Sequence, residues 1–393
     1  MNRPSRLVRS AGLAAMLSGS FAPVRGQVQE QRLAAPDARF PEAFGSVSGL
    51  LELPDGRVMV ADGLGQVLVV VDMGAGQADT IGRPGAGPEE YRQPDGIFPL
   101  PGDSVLLVDL GNGRLTALGP DFGFGRTWPI SEGEMGPGGG TMAVRVPLGT
   151  DSRGRVYFRG MPPMRPGGAL PDSGYVLRWD RSAGGVDTLG RVKIEDRTTS
   201  SRGGANNQMV AIRPVPMSPQ DGWAAGWDGR VAVVRSADYR VEWIGTDGRI
   251  VRGPQNEYRP LRIGRADKEA WVDRMQRTAL SLMVENVNGR VSTSFRRGGG
   301  GSDQPDIDSY QWPDVMPAFQ PGGVRVSRAG EVWVERYVSA GTAPTFDVFD
   351  GNGRLVRRVI LPDGRQLVGF GRNAVYVTRA DEYDLLFLEK YRL

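Results

Sequence analysis

Among 393 residues this chain has no His and no Cys. That removes imidazole bases, Ser-His-Asp and Cys-His nucleophile systems, and the usual zinc ligands. It also removes disulfides, so the fold must hold through packing and hydrogen bonds. The chemistry left is that of carboxylates, hydroxyls, amines and the hard cations that oxygen ligands hold. Asp303, Asp306 and Asp308 alternate beside a glycine run in the manner of a cation loop. They lack the Gly and the closing Glu that such a loop requires. Arg296-Arg297 followed by Gly298–Gly301 lacks the Gly-Lys-Ser/Thr of a phosphate-binding loop. Trp223, Trp227, Trp243 and Trp312 are candidates for stacking against the apolar faces of a sugar. Trp223 and Trp227 bound one apolar strand, where core packing is the competing fate.

The elements that position these residues are repeats. Residues 50–72 read LLELPDGRVMVADGLGQVLVVVD, and residues 97–121 read IFPLPGDSVLLVDLGNGRLTALGPD. Each runs apolar strand, tight turn, apolar strand, Gly-rich loop, apolar strand. The pattern returns at 144–181 and 223–245, around Glu331, and in the last residues of the chain. Val58, Val105, Val156, Val231, Val332 and Val375 fall in register at intervals of 47, 51, 75, 101 and 43 residues. The short intervals match a four-stranded propeller blade, at ~40–50 residues. The sequence therefore predicts an all-β, six-bladed β-propeller over 27–393, with insertions at about 193–216 and 255–315. A seventh blade inside 255–315 is the competing count. The sixth copy is one strand short, and Gln29 to Leu33 is expected to supply it and so hide the exposed edges. Trp271, Met275, Ala279 and Leu282 fall at helical spacing after a capping Asp267. They predict one inserted amphipathic helix over about 267–284, either packed on the ring or lidding its tunnel.

Arg3, Arg6 and Arg9 precede a short apolar stretch, Ala11 to Ala22, and small residues reach Gly26. This is the pattern of a secretory signal over 1–26, so a secreted or periplasmic protein is expected. No stretch approaches the ~20 apolar residues of a membrane span. The full chain carries a net charge of +3; residues 1–26 hold four Arg and no acid, which leaves 27–393 at −1. Nucleic acid loses its electrostatic argument as a partner.

Residues 81–115, IGRPGAGPEEYRQPDGIFPLPGDSVLLVDLGNGRL, resemble the NHL-type repeat and its bacterial six-bladed propeller relatives. Gly85, Gly87, Pro88, Tyr91, Pro94, Gly102, Asp103, Val108, Asp109, Asn112, Arg114 and Leu115 fill that pattern. The resemblance is strong over this one blade and looser at 46–83. It implies a ring that binds something across a face or tunnel mouth, with Arg114 a candidate ligand contact. The ordinary role of Asp109, Asn112 and Arg114 is structural: turn backbone groups satisfied, and a bridge to the next blade. Amidating lyase propellers in this group use zinc held by histidines, which are absent here. Calcium-dependent lactonase propellers surround a tunnel cation with oxygen ligands. On that likeness Asp95 and Asp221, at the starts of innermost strands, are the candidates for Ca²⁺, with turn capping as the alternative. Two residues fall short of a cage of six to eight oxygens.

These readings converge on an exported binding propeller that recognises a protein, peptide or glycan on its loop face. Asp95, Asp221, Trp223 and Arg114 are its candidate contacts, and no residue is assigned to catalysis. A Ca²⁺-dependent, lactonase-like hydrolase acting at the tunnel is the alternative, and a structural module of an envelope complex is a third reading.

Overall fold

The computed structural model describes residues 28–132, 143–162, 170–202, 209–278, 280–287, 290–297 and 306–393. The proposed signal segment lies outside them. Six antiparallel meanders follow one another along the chain. Blade 1 comprises Gly49–Glu52, Val58–Asp62, Val67–Asp72 and Gln77–Thr80; blade 2, Pro94–Pro99, Val105–Asp109, Arg114–Leu118 and Phe124–Pro129. Blade 3 comprises Pro147–Thr150, Val156–Gly160, Ser173–Trp179 and Val186–Lys193; blade 4, Gly222–Ala225, Val231–Arg235, Arg240–Ile244 and Ile250–Arg252. Blade 5 comprises Phe319–Val326, Val332–Arg336, Thr345–Phe349 and Leu355–Ile360; blade 6, Arg365–Gly371, Ala374–Ala380, Leu386–Arg392 and a strand from the amino-terminal side. The first strand of each blade is innermost, and successive inner strands pack side by side into a six-bladed β-propeller.

Each valine of the repeat register stands at or next to the start of a second strand and is at most 1% exposed. The β-branched side chain packs on the pleated surface between two blades, which is why valine recurs there. The turns from first to second strand are tight. At Gly229 φ is +84°, and a Cβ there would lie 2.8 Å from the Arg155 guanidinium, so the turn needs glycine twice over. Buried tyrosines stitch the seams. Tyr239 of blade 4 donates to Asp347 of blade 5 at 2.7 Å, and Tyr376 of blade 6 donates to Glu52 of blade 1 at 2.6 Å. Tyr157 of blade 3 lies 3.1 Å from the Gly229 carbonyl of blade 4.

Two expectations need correction. Ala38–Phe44, not Gln29 to Leu33, completes blade 6, pairing Ala38 with Lys390 and Phe44 with Leu386. Phe40 and Phe44, with ring centroids 5.7 Å apart, anchor it in the core between blades 6 and 1. Pro41 and a bulge between Arg39 and Ala43 obscure its alternation. Gln29–Arg32 instead runs parallel to Leu355–Ile360 as a fifth strand of blade 5, with Leu33 buried against blades 5 and 6. The helix spans Arg265–Thr278 rather than about 267–284. Leu280–Val287 and Arg290–Arg297 beyond it form a hairpin. Val284, Val287, Val291 and Thr293 suit strands, and Asn288-Gly289 is a strong hairpin signal in sequence. Of the predicted helical stripe, Trp271 and Met275 are half-buried, Val272 is the buried apolar residue, and Ala279 lies outside the described residues.

Burial alone would raise the Glu52 carboxyl, but the Tyr376 hydroxyl, the Arg372 N–H and Lys390 together hold it below its ordinary 4.5. Burial also opposes ionisation of Glu389, and Arg365 and the Tyr391 hydroxyl outweigh it. A folded pKa below the unfolded one gives stability that is present above the unfolded value and lost as pH falls through the folded one. The melting temperature should therefore fall as pH drops below about 4.5, the ordinary value. Glu52→Gln and Glu389→Gln should each flatten part of that decline. An acid limb unchanged in both variants would contradict the assignment.

Candidate functional site

The alternation of strands in a meander sorts connections onto two faces. First-to-second and third-to-fourth turns share one; second-to-third turns and blade-to-blade connections share the other. The first face carries only short turns. The second carries every long connection, at 81–93, 130–146, 161–172, 194–221 and 253–318. This insertion face is where a rigid ring presents variable surface.

The longest connection crosses it. The helix starts on blade 5, where Asp267 accepts from Gly264 N at 2.8 Å and from Ala340 N at 2.7 Å. The first of these is the returning half of a capping box. Farther along, Arg274 lies 3.5 Å from Glu335 on the second strand of blade 5, and Glu335 also accepts from Gln320 at 3.1 Å. The far end is fixed to blade 2. Arg297 donates to both Asp95 oxygens, at 2.7 and 3.1 Å, and to the Thr278 carbonyl at 3.1 Å. Gln93 donates to the Arg297 carbonyl at 3.1 Å. Phe295 is buried among Leu110, Ile130 and Phe158, and its N–H meets Leu110 O at 3.2 Å. Blades 5 and 2 stand opposite each other in a six-membered ring. A helix of 14 residues is ~21 Å long. Helix and hairpin thus form a strap across the tunnel mouth. On the inner strand of blade 5, Arg325 has its Nη1 buried without a partner among the described residues. Burial pushes that guanidinium's pKa down, partly offset by Glu335 and reinforced by Arg274.

The candidate residues are placed as follows. Asp95 is 3% exposed and committed to Arg297. Asp221 accepts from Lys193 N at 3.0 Å, Arg235 at 2.9 Å, and Ser236 N and Oγ at 2.9 and 3.1 Å. The two stand on blades 2 and 4, each with its own donors. Among the described residues no three His, Cys, Asp or Glu side chains are grouped to hold a metal ion. Trp223 packs in the seam of blades 3 and 4 with its Nε1 buried and unpartnered among the described residues. Trp243 is core, and its Nε1 donates to Asp350 O at 3.2 Å. Trp227 is 43% exposed in a tight turn of the opposite face. Trp312 meets Trp271 and Tyr310 edge to face at 5.6 and 6.1 Å, with Lys268 5.4 Å from its ring centre. That packing fastens the strap to the turn Ile307–Ser309, and Arg213 of the preceding insertion donates to Ser309 O at 3.1 Å. Asp306 caps that turn through Asp308 N, and Asp303 lies outside the described residues.

Arg114 donates to Glu90 O at 2.6 Å and Gly87 O at 3.2 Å, bracing the loop before blade 2. Asp109 accepts from Arg92 N, Gln93 N and Asn112 Nδ2 at 3.1, 3.2 and 2.7 Å. Tyr91 accepts from Leu68 N of blade 1 at 3.0 Å. The repeat motif thus joins blade 1 to blade 2. Sequence reasoning missed Arg297, Arg274 and Glu335. No local pattern announces an ion pair between residues 202 apart, although Asn288-Gly289 could have revealed the hairpin that carries Arg297.

No protein-family model matches the chain, and no curated protein does. Solved structures do. A calcium-binding regucalcin from Agrobacterium tumefaciens is 13% identical at a TM-score of 0.41, covering 93% of this chain and 97% of its own. A putative exported protein from Bacteroides fragilis is 12% identical at 0.44, covering 92% and 93%. A catalytically inactive virginiamycin B lyase from Staphylococcus aureus is 11% identical at 0.35, covering 93% and 99%. These are likenesses of fold alone.

Arg297→Ala would leave the buried Asp95 carboxyl without its arginine partner, a cost of about 1–3 kcal/mol. Amides of 280–297 should then lose hydrogen-exchange protection while the blade 4 strands keep theirs. Unchanged protection of the hairpin would show that this pair does not hold the strap.

Proposed function

We propose that this chain is an exported binding propeller that recognises a protein, peptide or glycan on its insertion face. The observation that carries this reading is the strap, a helix and hairpin fixed to opposite blades across the tunnel mouth. It gives the ring a continuous, preorganised surface where the long connections converge, and preordered groups bind at lower entropic cost. Commitment of Asp95 and Asp221 to protein donors favours it over a tunnel hydrolase, since both carboxylates would have to abandon buried hydrogen bonds to ligate a cation. Export is supported by the Arg3, Arg6 and Arg9 cluster before an apolar stretch. Kinship with NHL-type repeats is supported by the blade 2 motif and its role at the seam.

Peptide and glycan arrays probed with the chain, and with a variant in which 280–297 is replaced by a short glycine linker, test the reading. Binding to a defined set of array members should vanish in the variant while its ring still melts cooperatively. Signals unaltered by the replacement, or Ca²⁺-dependent lactone hydrolysis by the chain, would overturn it.

A further inference from the structure

On the rim of blade 5, away from the strap's anchor on blade 2, a cleft of about 270 Å³ opens between the extra strand Gln29–Arg32 and the connection after blade 4. It is lined by Arg259, Arg336 and Arg358, by the hydroxyl residues Tyr337 and Thr345, and by apolar Leu261, Val338 and Ile360, with Glu30 at its edge.

The charges there are unequal. Asp347, buried behind the lining arginines, accepts from Arg358 at 2.8 Å and from Arg336 at 3.4 Å, and Glu30 accepts from Arg358 at 3.3 Å. Arg259 is exposed and has no hydrogen bond or ion pair among the described residues. Of the three guanidiniums lining the cleft, only Arg259 lacks a carboxylate partner among the described residues, which leaves one positive charge free in the lining. Tyr337 likewise has no hydrogen-bond partner among the described residues. Burial pushes its phenol pKa up to about 12, so it stays a neutral donor at physiological pH. A free guanidinium and a free hydroxyl donor beside an apolar wall lack one thing, an acceptor with negative charge.

We infer that this cleft binds a monocarboxylate carried on a short aliphatic body, with Arg259 and Tyr337 donating to the carboxylate and Leu261, Val338 and Ile360 covering the chain. One unbalanced charge selects a monoanion over inorganic phosphate, which carries more charge and nothing for the apolar wall. The volume equals that of about nine waters, the size of a ligand with roughly six to ten heavy atoms. This goes beyond the strap reading and does not depend on it, since the strap-replacement variant leaves the cleft's residues in place.

Calorimetric titration of the full chain with hexanoate, hexanol and inorganic phosphate at low salt tests it. Hexanoate should bind, and the other two should not at the same concentrations. Arg259→Glu should weaken hexanoate at least about tenfold. It should leave the unliganded melting temperature in place, because Arg259 holds no partner. Tyr337→Phe should also weaken binding. Hexanol binding as well as hexanoate would reduce the cleft to apolar contact, and phosphate binding as well would reduce it to charge alone. Either result, no hexanoate binding, or unaltered binding by Arg259→Glu, would overturn the inference.

Discussion

Everything in this molecule depends on closing a ring without a covalent staple. A propeller has one seam where chain segments far apart in sequence must agree, and here it lies between blades 6 and 1. Ala38–Phe44 supplies the outer strand of blade 6 and leads directly into the inner strand of blade 1. Phe40, Phe44 and Tyr376 fill the seam with Val58, Val60 and Val71. Glu52 is the polar counterpart. Its carboxylate takes the Tyr376 hydroxyl, the Arg372 N–H and Lys390, and its carbonyl takes Arg328 from blade 5. Such a buried carboxylate is tolerable only because its lone pairs are met, and each donor comes from a blade other than its own. Tyr239–Asp347 repeats the device between blades 4 and 5.

A ring held this way is rigid, and the rigidity gives the insertion face its meaning. Loops that leave a fixed scaffold can be ordered against one another without disturbing the core. The strap does this with few contacts, an N-terminal cap on blade 5 and a bidentate ion pair with a buried aromatic on blade 2. The arginines serve two ends. Most are absorbed in pairing, as Arg297 is by Asp95, whereas Arg325 on the inner strand of blade 5 and Arg259 on the rim keep nitrogens without acceptors among the described residues. Where a face retains unmatched donors, recognition of acceptor groups is the natural chemistry.

Blade count was legible in the sequence because the valine register and the turn residues are local properties repeated six times. The identity of the closing strand was not, since Pro41 and a bulge break the alternation of Ala38–Phe44 while Gln29 to Leu33 offers a cleaner segment nearby. The end of the helix is hidden in the sequence because Leu282 continues a helical spacing. The β-branched residues and Asn288-Gly289 then overrule it by tertiary pairing. Of the site, Asp95 stands out in sequence as a start-of-strand carboxylate, but its partner Arg297 lies in another insertion, and pairing at that range has no sequence signature. The repeat motif around Arg114 was visible for the reason it recurs at all: it braces the loop that joins two blades.

The tunnel mouth is spanned only if the segment after the helix is held on blade 2. Because the chain has no cysteine, a single pair of spin labels can be placed without background. Arg92→Cys in the loop entering blade 2 and Arg296→Cys on the hairpin are both exposed positions flanking the Asp95–Arg297 pair. A pulsed electron–electron distance measurement should give one short, narrow distribution. A broad or long distribution would mean that the hairpin leaves blade 2 and that no strap spans the mouth.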